Sequence, residues 1–410
     1  ARLERGERGG VLIDSALDRQ LDGALMAAMQ QGRTLRSDAG EVAFEGSEAL
    51  LAFGDLGEAR ALGAEQSNIS IAFGNKVILK LYRRLRAGDQ PDVEVAKFLS
   101  EVGQFRNTPH YLGQILHREA GKDATTLAAA FAFVPNRGDT WSTVTKALHE
   151  HLNGSASGDA AGDSALSVGA LLGQRTAEMH KALAAETDRP DFKVEPLTVA
   201  DIEQLSREAI GEAEALLAQL QQQLEQLPEQ ARAVASEVLD NRDTLIERLG
   251  AAANMTPSGG RSRIHGDYHL GQVLTTADDF MIIDFEGEPR RTLAERRAKS
   301  SPLRDVAGML RSFHYAAWTA LNLHRRDHDD PKALERAESW RQQVSTDFVA
   351  AYQQHIQGAP SYPADAVFAQ ALTELFVLHK AIYEIGYELA NRPDWVEIPL
   401  SGVRDLLKES

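Results

Sequence analysis

The chain of 410 residues contains no cysteine, which removes disulfides, thiol nucleophiles and thiolate metal sites from its chemistry. Basic residues are in the minority. The 44 Lys plus Arg stand against 60 Asp plus Glu, a net charge of −16, which disfavours a general binder of phosphate backbones, so nucleic acid is not expected as a partner. No apolar run approaches the roughly 20 residues that span a bilayer, and the N-terminus is charged rather than signal-like. A cytoplasmic protein without membrane contact is the expectation. The N-terminal half also lacks a Gly-x-Gly-x-x-Gly stretch, so a glycine-built phosphate cradle of that kind is excluded. What remains is a globular chain, 43% hydrophobic, long enough to bury more than one core in two or three domains.

Two polar motifs stand out against this background. The first is His265-Gly266-Asp267-Tyr268-His269-Leu270-Gly271-Gln272, which places a proton acceptor and an amide oxygen in one tight loop. The second, Asp284-Phe285-Glu286-Gly287-Glu288-Pro289, adds a carboxylate after an apolar run. Between them, Val273-Leu274 and Phe280 to Ile283 predict two short buried strands joined by a polar turn at Thr275 to Asp279. Such a hairpin is expected to bring both motifs to one cleft.

The rest of the chain is organised around those motifs. Residues 1 to 60 mix short apolar segments with Gly and charge, which predicts a small α+β cap. From 61 to 134 a β-rich lobe is expected. Ile69, Ile71 and Phe73 alternate, Val77 to Tyr82 follows, and Gly74-Asn75 suits a two-residue hairpin turn. The second of these strands carries Lys80. A helix is predicted to enter at Pro91 and to carry Glu94 in its first turn. Ala128 to Val134 reads as a strand that breaks at Pro135 to Asp139, and 135 to 410 is expected to form a helical lobe. Within it, Gly154 to Ser164 reads as a loop, 201 to 250 as a helical hairpin interrupted near Pro228, and Leu303 to Leu323 and Ala366 to Leu389 as further helices.

Metal-assisted phosphoryl transfer needs little covalent help from a protein: metal ions to neutralise phosphates, a cation to hold them, and a base near the acceptor hydroxyl. Asp267 is the candidate base, Gln272 and Asp284 are candidate ligands for Mg²⁺, and Lys80 is the candidate cation for the phosphates of ATP. Glu94 is expected to pair with Lys80 across a strand–helix contact, with Glu101 in reserve. A metallohydrolase built on His265, Asp267, His269 and Asp284 is the competing reading. It leaves Lys80, Glu94 and Gln272 without roles and is set aside. His180 reads as a packed, hydrogen-bonded histidine, and Asp305 as a helix cap ahead of a brace for the catalytic loop. Lys380, Tyr383, Glu384, Tyr387 and Glu388 recur at i, i+3, i+4, i+7 and i+8 on one helix face. That mixture suits hydroxyls and the apolar faces of pyranose rings, although a solvated face held by i,i+4 pairs has the same pattern.

These residues resemble the maltokinases, in the aminoglycoside phosphotransferase-like branch of the eukaryotic protein kinase-like fold. The likeness rests on Glu65-Gln66-Ser67-Asn68, Val77-Ile78-Leu79-Lys80, Phe133-Val134-Pro135-Asn136, Thr176-Ala177-Glu178-Met179-His180, the two motifs above, and Lys380 to Trp395. It implies a bilobal α+β kinase that phosphorylates maltose at its anomeric hydroxyl with ATP and Mg²⁺, serving bacterial α-glucan and trehalose metabolism. It also implies that Gln66, Ser67, Asn68 and Ser70 replace the glycine flap, that Phe133 and Val134 border the nucleotide, and that His265 and the Lys380 to Glu388 face meet the sugar. Fusion to trehalose synthase, common in that family, would account for a chain that begins at Ala1. Two alternatives stay open: a kinase of the same fold for glucosamine or an aminoglycoside, and a catalytically silent module attached to trehalose synthase.

Overall fold

The structure is a computed structural model that describes residues 2–5, 8–11, 18–62, 68–154 and 165–408. The expected phosphate-flap residues Gln66 and Ser67, and most of the loop expected at Gly154 to Ser164, lie outside the described residues. The chain divides into two compact units, Ala1–Asn136 with Met281–Arg297, and Arg137–Phe280 with Ala298–Ser410.

In the first unit, strands β1 (Arg2–Arg5) and β2 (Arg8–Val11) pair with each other. They precede α1 (Arg19–Gln30), β3 (Thr34–Ser37), β4 (Gly40–Gly46), α2 (Glu48–Ala52) and β5 (Ala59–Ala61). Then come β6 (Asn68–Phe73), β7 (Val77–Tyr82), α3 (Pro91–Glu101), β8 (Tyr111–Arg118) and β9 (Thr125–Ala132). Seven of these strands form one antiparallel sheet in the order β3-β4-β8-β9-β7-β6-β5. The segment set apart as a cap by its composition thus supplies three strands to the sheet that carries Lys80. Strand alternation sorts the two faces. Ile71, Phe73, Val77 and Leu79 pack with Met26 and Met29 of α1. Tyr82 packs with Val93 and Ala96 of α3. Lys80, two residues before Tyr82, therefore faces α3.

The β6–β7 turn is one residue longer than the expected Gly74-Asn75 pair. Phe73 pairs with Val77, leaving three residues between the strands, and Gly74 takes φ +52°, a left-handed conformation that costs glycine nothing.

The second unit is helical: α4 (Thr140–Leu152), α5 (Gly169–Leu183), α6 (Val199–Gln223), α7 (Glu229–Asp240), α8 (Arg242–Ala251), α9 (Leu303–Asp327), α10 (Ala333–Ile356), α11 (Ala366–Asn391) and α12 (Glu397–Lys408). The break expected near Pro228 falls at the start of α7, and a second break at Asn241 makes three helices of the expected hairpin. Short strands β10 (Glu195–Pro196) and β11 (Gly260–Arg261) pair; β12 (Val273–Thr275) and β13 (Phe280–Ile282) stand where the motif hairpin was read. Helices α5 and α10 pack backbone to backbone: a Cβ on Gly169 or Gly173 would overlap the carbonyl oxygens of Val344 or Phe348. No helix among the described residues is long and apolar enough to cross a membrane.

Substituting Gly173→Val should therefore cost about 1–3 kcal/mol of stability through overpacking, read as a lower urea midpoint at unchanged m-value. A midpoint equal to that of the unaltered chain would refute the close crossing of α5 and α10.

Candidate active site

The first unit buries one lysine among three carboxylates. Lys80 Nζ lies 3.1 Å from Asp92 Oδ2, 2.7 Å from Asp284 Oδ1 and 2.6 Å from Glu286 Oε1, and Lys80 is 8% exposed. Burial disfavours the ammonium, but Asp92, Asp284 and Glu286 outweigh it and hold the Lys80 pKa well above the ordinary lysine value. Burial raises the Glu286 pKa, with Asp92 and Asp284 adding to the rise and Lys80 opposing it. Asp284 has φ +66°, one of two left-handed non-glycine residues among those described. That conformation costs roughly 1–2 kcal/mol, and such strain concentrates at functional sites.

Asp92, not the expected Glu94, is the helix partner of Lys80. The reason is helical phase: positions 92 and 94 point about 200° apart around an α-helix. Asp92 shares the sheet-facing side of α3 with Val95, Ala96 and Leu99, all buried, and also accepts from Tyr82 Oη at 3.2 Å. Glu94 instead receives two hydrogen bonds of 2.9 Å from Arg297. Arg297 thus anchors α3. Asn68 Nδ2 donates to Glu286 Oε1 at 2.7 Å, and Ser70 stands directly across from Lys80 in the β6–β7 register. Phe133 and Val134 follow the last residue of β9, with Phe133 N donating to Lys76 O at 2.9 Å. Glu286 was not read as a site residue. Its place two positions after Asp284 was the available signal.

The loop bearing Asp267 lies in the second unit and is held by a single carboxylate. Asp305 Oδ2 accepts from His265 N at 2.7 Å and Oδ1 from Gly266 N at 2.9 Å. Asp305 therefore braces the loop from the first turn of α9 instead of capping that helix. Gly266 takes φ +82°, which turns the chain into Asp267. His180, fully buried as expected of a packed histidine, contacts Asp305 Oδ2 at 3.1 Å through Nε2 and Tyr352 Oη at 3.0 Å through Nδ1. A carboxylate only accepts, so Nε2 carries the proton and Nδ1 is left to receive the tyrosine hydroxyl. Burial works against the Asp305 charge, yet His180, His265 and the Gly266 amide hold its pKa below the ordinary aspartate value.

His265, expected to meet substrate, is 1% exposed. Its Nδ1 accepts a long 3.4 Å hydrogen bond from Asp267 N and its ring packs 5.2 Å from that of Tyr268, so it shapes the loop from below. Asp267 is half-buried. Gln272 ends a short 3₁₀ turn, with its N–H on His269 O at 2.9 Å.

The helix face expected to meet sugar is partly engaged within the unit. Glu384 is bonded to Arg311 at 2.8 Å, and Glu388, 1% exposed, receives Tyr315 Oη and Arg392. Lys380 lies over the ring of Tyr383 at 5.2 Å, and Arg392 over that of Tyr387 at 5.5 Å. Both rings remain half-exposed.

Residues 59–287, more than half of the chain, match the family model described as the phosphotransferase enzyme family. The chain belongs to that family. It is an ATP-dependent phosphotransferase acting on a hydroxyl acceptor, with a kinase-like fold in which a sheet-bearing N-terminal part precedes a helical C-terminal part. Two glucosamine kinases are each 27% identical to it. One, from Streptacidiphilus jiangxiensis, aligns over 99% of this chain and 85% of its own length; the other, from Mycolicibacterium smegmatis, over 85% and 80%. The solved structure of a glucosamine kinase in complex with glucosamine, ADP and inorganic phosphate superimposes with a TM-score of 0.73 at 22% identity, over 99% of this chain and 87% of that one, a likeness of fold.

For this phosphotransferase, Asp92→Asn should raise KM for ATP roughly 10- to 100-fold, the worth of a charge-assisted bond, and Glu94→Gln should do markedly less; steady-state kinetics showing the reverse order would restore Glu94 as the partner of Lys80. Asp305→Asn should cost about 2 kcal/mol at pH 7. Because the folded-state pKa of Asp305 is depressed, its contribution is complete above the ordinary aspartate pKa of about 4 and is lost as pH falls through the folded value. Urea denaturation should then show the difference between variant and unaltered chain to be constant from pH 7 to 5 and shrinking below pH 4. A gap that widens on acidification would contradict the assignment.

Proposed function

We propose that the chain is an ATP-dependent sugar kinase whose acceptor is glucosamine. The observation that carries this reading is the likeness to a glucosamine kinase along 99% of the chain. The residues fit the chemistry. Asp267 takes or orients the acceptor proton, Lys80 holds the phosphates, and Asn68 and Ser70 border them from the neighbouring strand. The oxygen donors suit magnesium. Asp92, Asp284 and Glu286 present carboxylate oxygens within 4.8 Å of one another, hard ligands of the type Mg²⁺ prefers. One ammonium against three carboxylates also leaves a charge deficit that a further cation relieves. Asp284 and Gln272 are the residues assigned to hold the ion, which would neutralise the phosphates when bound. A protonated amino sugar is itself a cation, and a chain with net charge −16 attracts one.

Maltose is the second reading, favoured by the half-exposed Tyr383 and Tyr387 on α11, whose rings suit the apolar faces of two pyranoses. Association with trehalose synthase belongs to that reading alone.

An acceptor panel of glucosamine, maltose, glucose and an aminoglycoside, with ATP consumption and product identification as readouts, separates the two. Glucosamine should exceed maltose by at least about 100-fold in kcat/KM, a difference near 3 kcal/mol; phosphorylated maltose with no glucosamine product would reverse the proposal. Asp267→Asn should lower kcat by on the order of 10²–10⁴, and unchanged turnover would remove Asp267 from its role.

A further inference from the structure

The second unit contains a cavity of about 860 Å³ walled by α9, α10, α11 and α12, within the range of roughly 300–1,000 Å³ typical of small-molecule sites. None of the motif residues His265 to Gln272 lines it, nor do Lys380, Tyr383 or Tyr387. Its wall on α9 is formed by Val306, Leu310 and His314, on the opposite side of that helix from Asp305 and Ser312, which hold the motif loop. We propose that this cavity is a second binding site, for a neutral polyhydroxylated ligand such as a hexose or a short oligosaccharide.

The wall chemistry selects that class. Its cations are matched by carboxylates: Arg311 with Glu384 at 2.8 Å, Arg248 with Glu374, and Arg341 with Glu338. An anionic ligand would have to displace those carboxylates. An apolar one would cover the hydroxyl of Thr346 and the amides of Gln353 and Gln370 without bonding them. Arg311 is 3% exposed and lines the cavity with its charge committed to Glu384. Gly402 keeps the guanidinium there, since a Cβ at that position would overlap Arg311 Nη1. Tyr352 and Tyr362, edge to face at 6.0 Å, add ring surface, and the exposed Thr346, Gln353 and Gln370 supply hydroxyl and amide groups at the mouth. Charged pairs, amides, hydroxyls and tyrosine rings together are the means of holding a sugar, whose hydroxyls both donate and accept. Tyr352 also reaches His180, which reaches Asp305, so an occupant touches the far end of the chain that holds the motif loop.

The inference does not depend on which hydroxyl is phosphorylated, and equilibrium dialysis with labelled glucose, glucosamine and maltose tests it on the whole chain. At least one of these sugars should bind in a set that weakens tenfold or more in Gln370→Leu, at the exposed mouth, and in Ala369→Phe, which fills the cavity. The KM for the phosphorylated acceptor should be unchanged in Gln370→Leu, whose position keeps folding intact should Ala369→Phe fail to fold. Sugar binding unaltered by Gln370→Leu overturns the proposal, as does preferential binding of citrate or inorganic phosphate at the same position. Should no acceptor be turned over at all, a sugar set that still depends on Gln370 would sustain this inference while the kinase assignment fell.

Discussion

The buried ammonium of Lys80 is the interaction on which the first unit's chemistry depends. An uncompensated charge in that position would be strongly unfavourable. The surrounding fold supplies the compensation from two separate places: Asp92 from α3, and Asp284 and Glu286 from the segment that follows β13. The ion cluster therefore does two things. It orients a cation of the kind that phosphate recognition needs, and it ties a stretch more than 200 residues downstream to β7, an inner strand of the sheet. The left-handed backbone at Asp284 is tolerated because the carboxylate it aims is held by a charge-assisted bond of 2.7 Å.

The second unit uses the same device with the sign reversed. Asp305 is a buried anion satisfied by two backbone N–H groups and one imidazole. A carboxylate bonded in this way defines the path of residues 265 and 266 more tightly than apolar packing would, because each bond is directional and each is costly to lose when buried. Asp267 follows directly on that fixed backbone. The helix face on α11 shows the other outcome of burial. Glu384 and Glu388 carry the pattern of sugar-binding residues, yet packing against α9 commits them to Arg311 and Tyr315, and the C-terminal cap of α11 adds Arg392 to Glu388.

The residues proposed for the reaction stand out in the sequence because their pattern is local. Asp267 and Gln272 stand five residues apart in one loop, Lys80 follows three apolar strand residues, and Asp284 ends an apolar run. The partners of these groups were less legible. Choosing Asp92 over Glu94 required the rotational phase of α3 against the sheet, which two acidic residues two positions apart do not reveal. Asp305 read as a cap ahead of a brace because acidic residues favour first turns for a local reason, and its partners lie 39, 40 and 125 residues earlier. His265 was assigned to substrate through the family resemblance, whereas the loop turns it inward.

Residue chemistry and short-range periodicity by themselves determined that this is a sheet-and-helix protein equipped for phosphoryl transfer, since hydrophobic alternation, turn residues and motif spacing act within a few positions along the chain. Tertiary structure decided which charges are spent inside each unit and which are kept for ligands. That division depends on burial, where an ionised group must find a partner or lose its charge, and burial is set by elements that meet in space long after they have parted in sequence.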